Sequence, residues 1–217
     1  MRIGILGGTF NPIHMAHLRS AEEVREAQQL DRILFVPSAT PPHKRGNGLV
    51  AAAHRLAMVR LAIRGNPAFR VSTIEIDRGG RSYSVDTLRA LRGRLPDAQF
   101  FFIMGMDAFR EISTWKDYRS LFALCHLVVT SRPAYDDAPL LSALPVAVRA
   151  EFCYRAKRLE HRTGNQIIFQ PISDLDISAS IIRHRLHRGL SVRYLIPAAV
   201  ERYILQHGLY ARRVASH

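Results

Sequence analysis

Short apolar runs alternate with segments of helical periodicity along most of this chain, and that alternation constrains its fold more than any other feature. The runs predict strands and the segments between them predict helices, which is the pattern of successive βα units. Such units build a parallel sheet, because right-handed crossovers return each strand to the same direction. We therefore predict an α/β fold, with an open doubly wound parallel sheet and helices on both faces.

The predicted elements cover most of the chain. The predicted strands are 2–7, 32–36, 69–76, 99–104, 126–130 and 166–170. The predicted helices are 15–29, 51–63, 84–94, 117–122, 145–152, 179–187 and 197–206. We expect residues 1–217 to form one domain with a small helical C-terminal part from about residue 178. Ligands should lie at the carboxyl ends of the strands.

The composition is that of a globular protein, with 47% hydrophobic and 23% charged residues. The two cysteines, Cys125 and Cys153, form no CxxC pair, which favours a reducing cytoplasm over secretion. The chain begins directly with an apolar strand, and no apolar run approaches the roughly 20 residues of a membrane span. We expect a cytoplasmic protein with no membrane partner.

A formal net charge of +13 at pH 7 favours polyanionic partners, and a basic nucleic-acid-binding protein is one interpretation. The arginines are scattered along the whole chain, however, and the sequence contains no RNP-like or other binding module. We therefore expect no nucleic-acid partner. A small phosphorylated substrate would also benefit from the positive field.

The first predicted strand ends in a motif typical of an anion site. Residues 3–17 read IGILGGTFNPIHMAH, so an apolar strand breaks at Gly7-Gly8-Thr9 and a helix begins near His14. Glycines let the backbone approach a phosphate closely, and a helix N-terminus adds free N–H groups and its positive dipole. His14 and His17 are three residues apart, so we predict that both imidazoles lie on one helix face and point into the crevice.

Three other interpretations of this stretch compete with an anion site. Its glycines stand at 4, 7 and 8, so the dinucleotide fingerprint GxGxxG is not met. The second strand also ends in Val36-Pro37, without the acidic residue that binds a ribose. The HMAH segment lacks the glutamate and the spacing of a zinc HExxH motif. Taken alone, the two histidines are also compatible with incidental positions on a helix.

A proline-stiffened loop follows the second predicted strand, where residues 37–44 read PSATPPHK. Its prolines restrict the backbone and help to present His43 and Lys44 to phosphate oxygens. After the fourth predicted strand, Gly105 and Asp107 mark a turn. The aspartate could bind ribose hydroxyls, cap the next helix, or do both.

Near the C-terminal end, residues 176–183 read DISASIIR. Ser178 is placed to cap a helix that carries Ser180 in its first turn and then Arg183. Hydroxyls, free N–H groups and a forked guanidinium converge there, and that combination suits a triphosphate.

Together these motifs resemble one family. Residues 7–14 and His17 resemble the GGTFxPxHxGH opening of the bacterial nicotinate-nucleotide adenylyltransferases, members of the HxGH nucleotidyltransferase superfamily. The PPHK, GMDA and DISASIIR segments are similar to that family's PPHK/R loop, GxDA turn and ISSTxIR signature. Two departures are Ala16 in place of the motif glycine, and Ala179 and Ser180 in place of Ser and Thr. Ser180 keeps a hydroxyl.

Two further segments resemble the part of that family that selects the acceptor. RSYSVDTL, at 81–88, is similar to its SYTxDTL segment, and STWKDY, at 113–118, is similar to its TWxxW/Y region. The Trp115 indole can stack on a pyridine ring, and N–H groups at the start of the Ser84 helix can bind a carboxylate. These features favour nicotinate over nicotinamide. The alternative is a sister enzyme that acts on nicotinamide mononucleotide or pantetheine phosphate.

The resemblance implies a Rossmann-like nucleotidyltransferase fold and adenylyl transfer from ATP to nicotinate mononucleotide, giving deamido-NAD and pyrophosphate in NAD biosynthesis. The implied catalytic residues are His14, His17, Lys44 and Arg183. The implied ATP-binding residues are Gly7, Gly8, Thr9, Phe10, Gly105, Asp107, Ile177, Ser178 and Ser180. The implied mononucleotide-binding residues are His43, Tyr83, Ser84, Thr87 and Trp115. Mg²⁺ is the implied cofactor, carried mainly by substrate phosphates without protein metal ligands, and a homo-oligomer is compatible with the sequence.

Overall fold

The structure is a computed structural model that describes residues 1–41, 48–131, 144–155, 158–173 and 175–211. Its strands are β1 (Arg2–Gly8), β2 (Arg32–Pro37), β3 (Phe69–Val71), β4 (Gln99–Gly105), β5 (His126–Ser131), β6 (Phe152–Arg155), β7 (Arg158–His161) and β8 (Gln166–Pro171). Its α-helices are α1 (Met15–Ala27), α2 (Ala52–Ala62), α3 (Ile74–Arg78), α4 (Ser84–Arg94), α5 (Met106–Arg110), α6 (Tyr118–Leu124), α7 (Ala179–His187) and α8 (Ala198–Gln206). Short 3-10 helices cover Ile112–Thr114 and Val146–Glu151.

The strands form one sheet in the order β3-β2-β1-β4-β5-β8-β7-β6. Strand β1 lies between β2 and β4 and is parallel to both. The chain builds outward from β1 to β3 and then returns to the other side of β1 for β4, so its connections diverge between β1 and β4. A crevice opens at the carboxyl ends of the strands at such a switch point. The predicted doubly wound α/β sheet is confirmed from β3 to β8.

The far edge of this mostly parallel sheet contains two antiparallel pairings. Strand β8 is parallel to β5, but β7 is antiparallel to β8 and β6 is antiparallel to β7. The sequence analysis placed no strand within 155–166, where β7 lies. In β7 the buried Leu159 and His161 alternate with the exposed Arg158 and the half-buried Glu160. Because Leu159 is the only apolar residue of the four, the sequence shows no apolar alternation that would predict a strand.

Two element boundaries also differ from the prediction. The strand predicted over 69–76 ends at Val71, because the edge strand β3 pairs only with residues 33–35 of β2. The chain then turns into α3, which buries Ile74 and Glu75 side by side, so the apparent alternation through Ile76 was misleading. The helix predicted over 145–152 is a 3-10 helix, and α5 was not predicted.

Helices cover both faces of the sheet and enclose two hydrophobic clusters. Strand β4 contributes Phe100 and Phe102 to one cluster and Phe101 and Ile103 to the other. This near-continuous apolar strand is what a sheet covered on both faces requires. Helices α7 and α8 pack against the second cluster through residues such as Ile182 and Ile204. The single-domain organisation, with a helical part from about residue 178, stays a prediction.

None of the helices in the described part of the chain is long and apolar enough to cross a membrane.

Candidate active site

A cavity of about 480 Å³ opens at the carboxyl ends of β1 and β4, and we call it the β1–β4 cavity. It lies at the topological switch point, where open α/β sheets bind their ligands. Its walls bring together these residues predicted from the sequence: Gly7, Gly8, Thr9, His17, Tyr83, Ser84, Gly105 and Trp115. One cavity therefore joins the predicted anion site to the predicted acceptor site.

The turn after β1 exposes backbone to this cavity because its side chains are absent or directed away. A Cβ at Gly8 would lie 3.1 Å from the ring of Phe10, which is tighter than ordinary packing allows. A Cβ at Gly7 would meet only Phe102, at 3.9 Å, so the protein itself leaves room there. Phe10 adopts a φ of 48° and is 2% exposed, so its ring supports the turn from the core. Close approach of a phosphate to this backbone is sterically open.

His14 and His17 begin α1 with their rings stacked 3.6 Å apart. The backbone N–H of His14 donates to Nδ1 of His17 at 3.2 Å, so the neutral His17 ring carries its proton on Nε2. His17 lines the β1–β4 cavity, whereas His14 does not. The structure therefore gives the cavity an imidazole whose Nε2–H is the donor.

His14 lies behind this ring and is 6% exposed. Burial lowers the pKa of His14 to about 4, so the ring is neutral at physiological pH. Within the described residues its Nδ1 is buried and makes no hydrogen bond. An anion beside it would favour the protonated ring and raise that pKa. Ala16, which replaces the family glycine, is half-buried on the first turn and is not part of the cavity wall.

Arg55 is a structural cation that the sequence analysis missed. It is 1% exposed on α2, and its guanidinium donates to the carbonyl oxygens of Thr9 at 2.9 Å, Ala39 at 2.8 Å and Val50 at 3.1 Å. Thr9 lies in the β1–α1 loop, and Ala39 and Val50 lie near the two ends of the β2–α2 connection, so Arg55 ties these two connections together. Burial lowers the pKa of Arg55. A signal was present, since Arg55 precedes the buried Met58 and Val59 by three and four residues and so lies on their helix face.

The DISASIIR segment meets the same loop from another side. Ser178 caps α7 as predicted and accepts the backbone N–H of Ile181 at 3.3 Å. The hydroxyl of Ser180 lies 2.9 Å from that of Ser178. Arg183 donates through Nη1 to the carbonyl oxygen of Asn11 at 2.9 Å. Neither serine nor Arg183 lines the β1–β4 cavity, and Ile177 does not line it either.

The acceptor end of the cavity is aromatic. Tyr83 is the N-cap of α4 and Ser84 its first residue, so free N–H groups of that helix begin at the cavity wall. Trp115 packs edge-on against Phe102, with ring centroids 6.2 Å apart. Lys116, which the sequence analysis did not single out, lies 4.8 Å above the Tyr83 ring and binds Asp86 at 2.8 Å. This wall combines an indole, a helix N-terminus and an ammonium group.

Glu75 is a second wall residue that the sequence analysis missed. Its carboxyl is buried and accepts the hydroxyl of Thr87 at 2.6 Å, and burial raises its pKa. Thr87 is itself buried, and its hydroxyl oxygen also accepts Nη2–H of Arg78 at 3.1 Å. It does not line the cavity and lies behind the wall.

The remaining predicted residues are placed as follows. Gly105 is the N-cap of α5 and lines the cavity, whereas Asp107 is exposed on the first turn of α5 outside it. His43 and Lys44 lie outside the described residues.

Comparison with known proteins identifies the family. A cytidylyltransferase-like family model matches residues 5–185. A protein of Citrifermentans bemidjiense named "Probable nicotinate-nucleotide adenylyltransferase" is 54% identical over 97% of this chain and 98% of its own length. A protein of the same name from Geobacter sulfurreducens is also 54% identical, over 97% of this chain and 99% of its own length.

The chain belongs to the nicotinate-nucleotide adenylyltransferase family. The predicted family and its nucleotidyltransferase activity in NAD biosynthesis are confirmed. The fold also agrees with a solved structure, the Plasmodium falciparum nicotinic acid mononucleotide adenylyltransferase complexed with NaAD. That structure has a TM-score of 0.71 at 19% identity and covers 96% of this chain and 97% of its own.

A divalent metal cofactor is consistent with the nucleotidyltransferase family. In the part of the chain that the structure describes, no three His, Cys, Asp or Glu side chains are grouped to hold a metal ion. The donors at the cavity are N–H groups, hydroxyls and an imidazole, which suit phosphate oxygens. That the metal is carried mainly by substrate phosphates stays a prediction.

Proposed function

We propose that the β1–β4 cavity carries adenylyl transfer from ATP to nicotinate mononucleotide, yielding deamido-NAD and pyrophosphate. One observation carries this assignment: His17 and the glycine turn share a single cavity with Trp115 and the N-terminus of α4. An anion site and an aromatic acceptor site must adjoin if one nucleotide phosphate is to attack another. Their adjacency supports the in-line reaction of two nucleotides.

The reaction needs alignment and charge neutralisation more than proton transfer. An oxygen of the mononucleotide phosphate attacks the α-phosphorus of ATP, forming a new P–O bond as the bond to the bridging oxygen of the β-phosphate breaks. The nucleophile is already an anion, so no general base is required. Rate enhancement then comes from holding both nucleotides in line and from donors to the charge that develops on the phosphates.

His17 is the proposed donor to the α-phosphate, because its Nε2–H is the ring donor on the cavity side of α1. Backbone N–H groups of Gly7, Gly8 and Thr9 would donate to phosphate oxygens near the helix N-terminus. His14 would supply a second imidazole from behind, and Phe10 would act by supporting the turn. These roles use the geometry of the turn and need no movement of α1.

The remaining ATP contacts are proposed from the segments around the cavity. Arg183, with Ile177, Ser178 and Ser180, would hold the triphosphate beside the β1–α1 loop. Gly105 and Asp107 would meet the ribose at the end of β4. Lys44 and His43 are proposed from the sequence alone as phosphate contacts of the PPHK loop.

The acceptor contacts are proposed at the opposite wall. Trp115 would stack on the pyridine ring, and N–H groups from Tyr83 and Ser84 at the start of α4 would bind the nicotinate carboxylate. Thr87 would act indirectly by holding Glu75. An uncharged amide would gain less from this helix N-terminus than a carboxylate, which supports nicotinate as the substrate.

Mg²⁺ is the proposed metal, since a hard cation prefers phosphate and water oxygens to the nitrogen donors of this cavity. When bound, it would neutralise phosphate charge. We also propose a cytoplasmic location, which the free thiols of Cys125 and Cys153 support.

A substrate panel tests the proposed function. Purified protein with ATP and Mg²⁺ is given nicotinate mononucleotide, nicotinamide mononucleotide or pantetheine phosphate, and pyrophosphate release is measured. We expect the highest kcat/KM with nicotinate mononucleotide and loss of turnover on chelation, restored by added Mg²⁺. A preference for either other acceptor would refute the proposed substrate.

A further inference from the structure

The C-terminal end of the described chain folds back onto the loop between β1 and α1. Helix α8 ends in a left-handed Gly208, with N–H groups of Gly208 and Leu209 bonded to the carbonyls of Leu205 and Ile204. This is a Schellman motif, which reverses the chain direction at a helix end. As a result, Leu209 and Tyr210 pack against the cluster that contains Phe10 and Ile13.

Tyr210 makes a specific contact there at a conformational cost. Its φ is 63°, in the left-handed region that residues other than glycine rarely adopt. Its hydroxyl donates to Oδ1 of Asn11 at 2.7 Å. Burial raises the pKa of Tyr210, so the hydroxyl stays a donor across the physiological range. Unusual backbone conformations of this kind concentrate at positions that serve a site.

Asn11 is the junction that receives this contact, and it is 7% exposed. Its side-chain nitrogen donates to the carbonyl of Gly48 at 2.8 Å, and its Oδ1 also accepts the N–H of Val50 at 3.3 Å. Its backbone carbonyl accepts Nη1 of Arg183 at 2.9 Å. Asn11 therefore bonds to the residues before α2, to α7 and to the chain end simultaneously.

The position of Asn11 makes these contacts relevant to chemistry. It follows the Gly7-Gly8 turn and precedes His14 by three residues, so a shift of its backbone displaces the start of α1. His17 lies on that first turn and lines the β1–β4 cavity. A misplacement of about 1 Å in an aligned reacting group can lower the rate about 100-fold.

We propose that Tyr210 is a positioning residue for adenylyl transfer, in which its hydroxyl fixes Asn11 and thereby the loop that sets His17 and the carbonyl bound by Arg183. This inference rests on the proposed role of that loop in phosphate binding. Tyr210 touches no substrate in this scheme. It acts by restricting the Asn11 side chain, which the segment before α2 also holds through Gly48 and Val50.

The test uses the full chain with Tyr210→Phe, which removes only the hydroxyl. The matched control is Tyr203→Phe on α8, whose hydroxyl lies 2.9 Å from Nδ1 of His54 on α2. We expect Tyr210→Phe to lower kcat about tenfold, with a smaller change in KM for ATP, and Tyr203→Phe to leave kcat within about twofold. Thermal midpoints of both variants are measured to compare their stability.

An effect that is only structural would lower both midpoints without lowering kcat at a temperature where each variant is folded. Wild-type kcat in Tyr210→Phe, or an equal fall in both variants, overturns the proposal. If a variant is too unstable at the standard temperature, kcat is compared at a lower temperature where circular dichroism shows it folded.

A double-mutant cycle tests the route through Asn11. Since Asn11→Ala removes the acceptor, adding Tyr210→Phe should then lower kcat by less than about twofold further. Independent, multiplicative losses would refute the route, and Asn11→Leu, which has a similar shape and no acceptor, replaces Asn11→Ala if the alanine variant does not fold. His17→Ala tests the proposed active site separately from the role of Tyr210, because full activity in His17→Ala would refute the site itself. Loss of activity in His17→Ala with no effect of Tyr210→Phe refutes only the positioning role.

Discussion

Replacement of His17 by glutamine, asparagine and alanine distinguishes the two ring nitrogens. Glutamine places an amide nitrogen near the position of Nε2, whereas asparagine reaches only as far as Nδ1. In the structure Nδ1 accepts the backbone N–H of His14 at 3.2 Å, so the neutral ring carries its proton on Nε2, which is the proposed donor to a phosphate. We expect kcat to fall in the order wild type, His17→Gln, His17→Asn and His17→Ala, with the last two close together.

The same contact separates the cost in activity from the cost in stability. One donor to developing charge contributes about 3 kcal/mol to the transition state, so loss of Nε2–H should lower kcat about 10²- to 10³-fold. The contact of Nδ1 with His14 is a helix-capping bond, and its loss should lower the free energy of unfolding by about 1 kcal/mol. His17→Asn keeps an acceptor for that bond, so it should be nearly as stable as wild type although its kcat is low.

The assay measures kcat from pyrophosphate release at saturating ATP and nicotinate mononucleotide, and the free energy of unfolding from urea denaturation. The comparison of glutamine with asparagine decides the assignment. If His17→Asn turns over as fast as His17→Gln or faster, the donor is not Nε2. If His17→Ala keeps near wild-type turnover, His17 has no part in the mechanism.

Three other predictions follow from the site. Trp115→Ala should raise KM for the mononucleotide about tenfold with KM for ATP little changed, and an equal rise in both would contradict stacking. Arg55→Leu leaves three partly buried carbonyls without their donor and should lower the free energy of unfolding in urea by about 3–5 kcal/mol. The control, Arg60→Leu at an exposed position, should change that free energy by less than about 0.5 kcal/mol, and similar losses in both variants would refute the tying role of Arg55. Burial lowers the pKa of His14 to about 4 from 6.5, so its neutral form contributes stability that is complete above pH 6.5 and is lost as pH falls toward 4, by up to about 3 kcal/mol. His14→Gln should therefore show a smaller loss of stability between pH 7 and pH 4, and an unchanged pH dependence would exclude His14 as its source.

Local sequence patterns predicted the elements that carry the motifs. The strand before Gly7, the helix after His14 and the Ser178 cap each depend on residues close together in the chain, and the structure contains all three. The edge hairpin was missed because backbone pairing with the neighbouring strands β6 and β8, and not an apolar periodicity, makes β7. The strand predicted over 69–76 was too long, because the segment alternates as a strand would although Ile74 and Glu75 are buried in helix α3.

The candidate site divides in the same way. Motif spacing predicted Gly7, His17 and Trp115 as site residues, and all three line one cavity. Glu75 and Lys116 line the same cavity but belong to no motif that was recognised, and their relevance depends on how α3 and the segment after Ile112–Thr114 pack. Sequence distance hid them, because a wall residue is defined by its neighbours in space.

Residue types at short spacing were enough to predict the βα order, the glycine turn, the pair of histidines and the family. Tertiary packing determined that the sheet changes to antiparallel at one edge and that His17 lines the same cavity as Trp115. It also decided that Arg55 and Tyr210 hold the phosphate loop from 46 and 199 residues away, at Thr9 and Asn11 respectively. Hydrogen bonds over such separations form only when the packed core brings the segments together, so no local pattern encodes them.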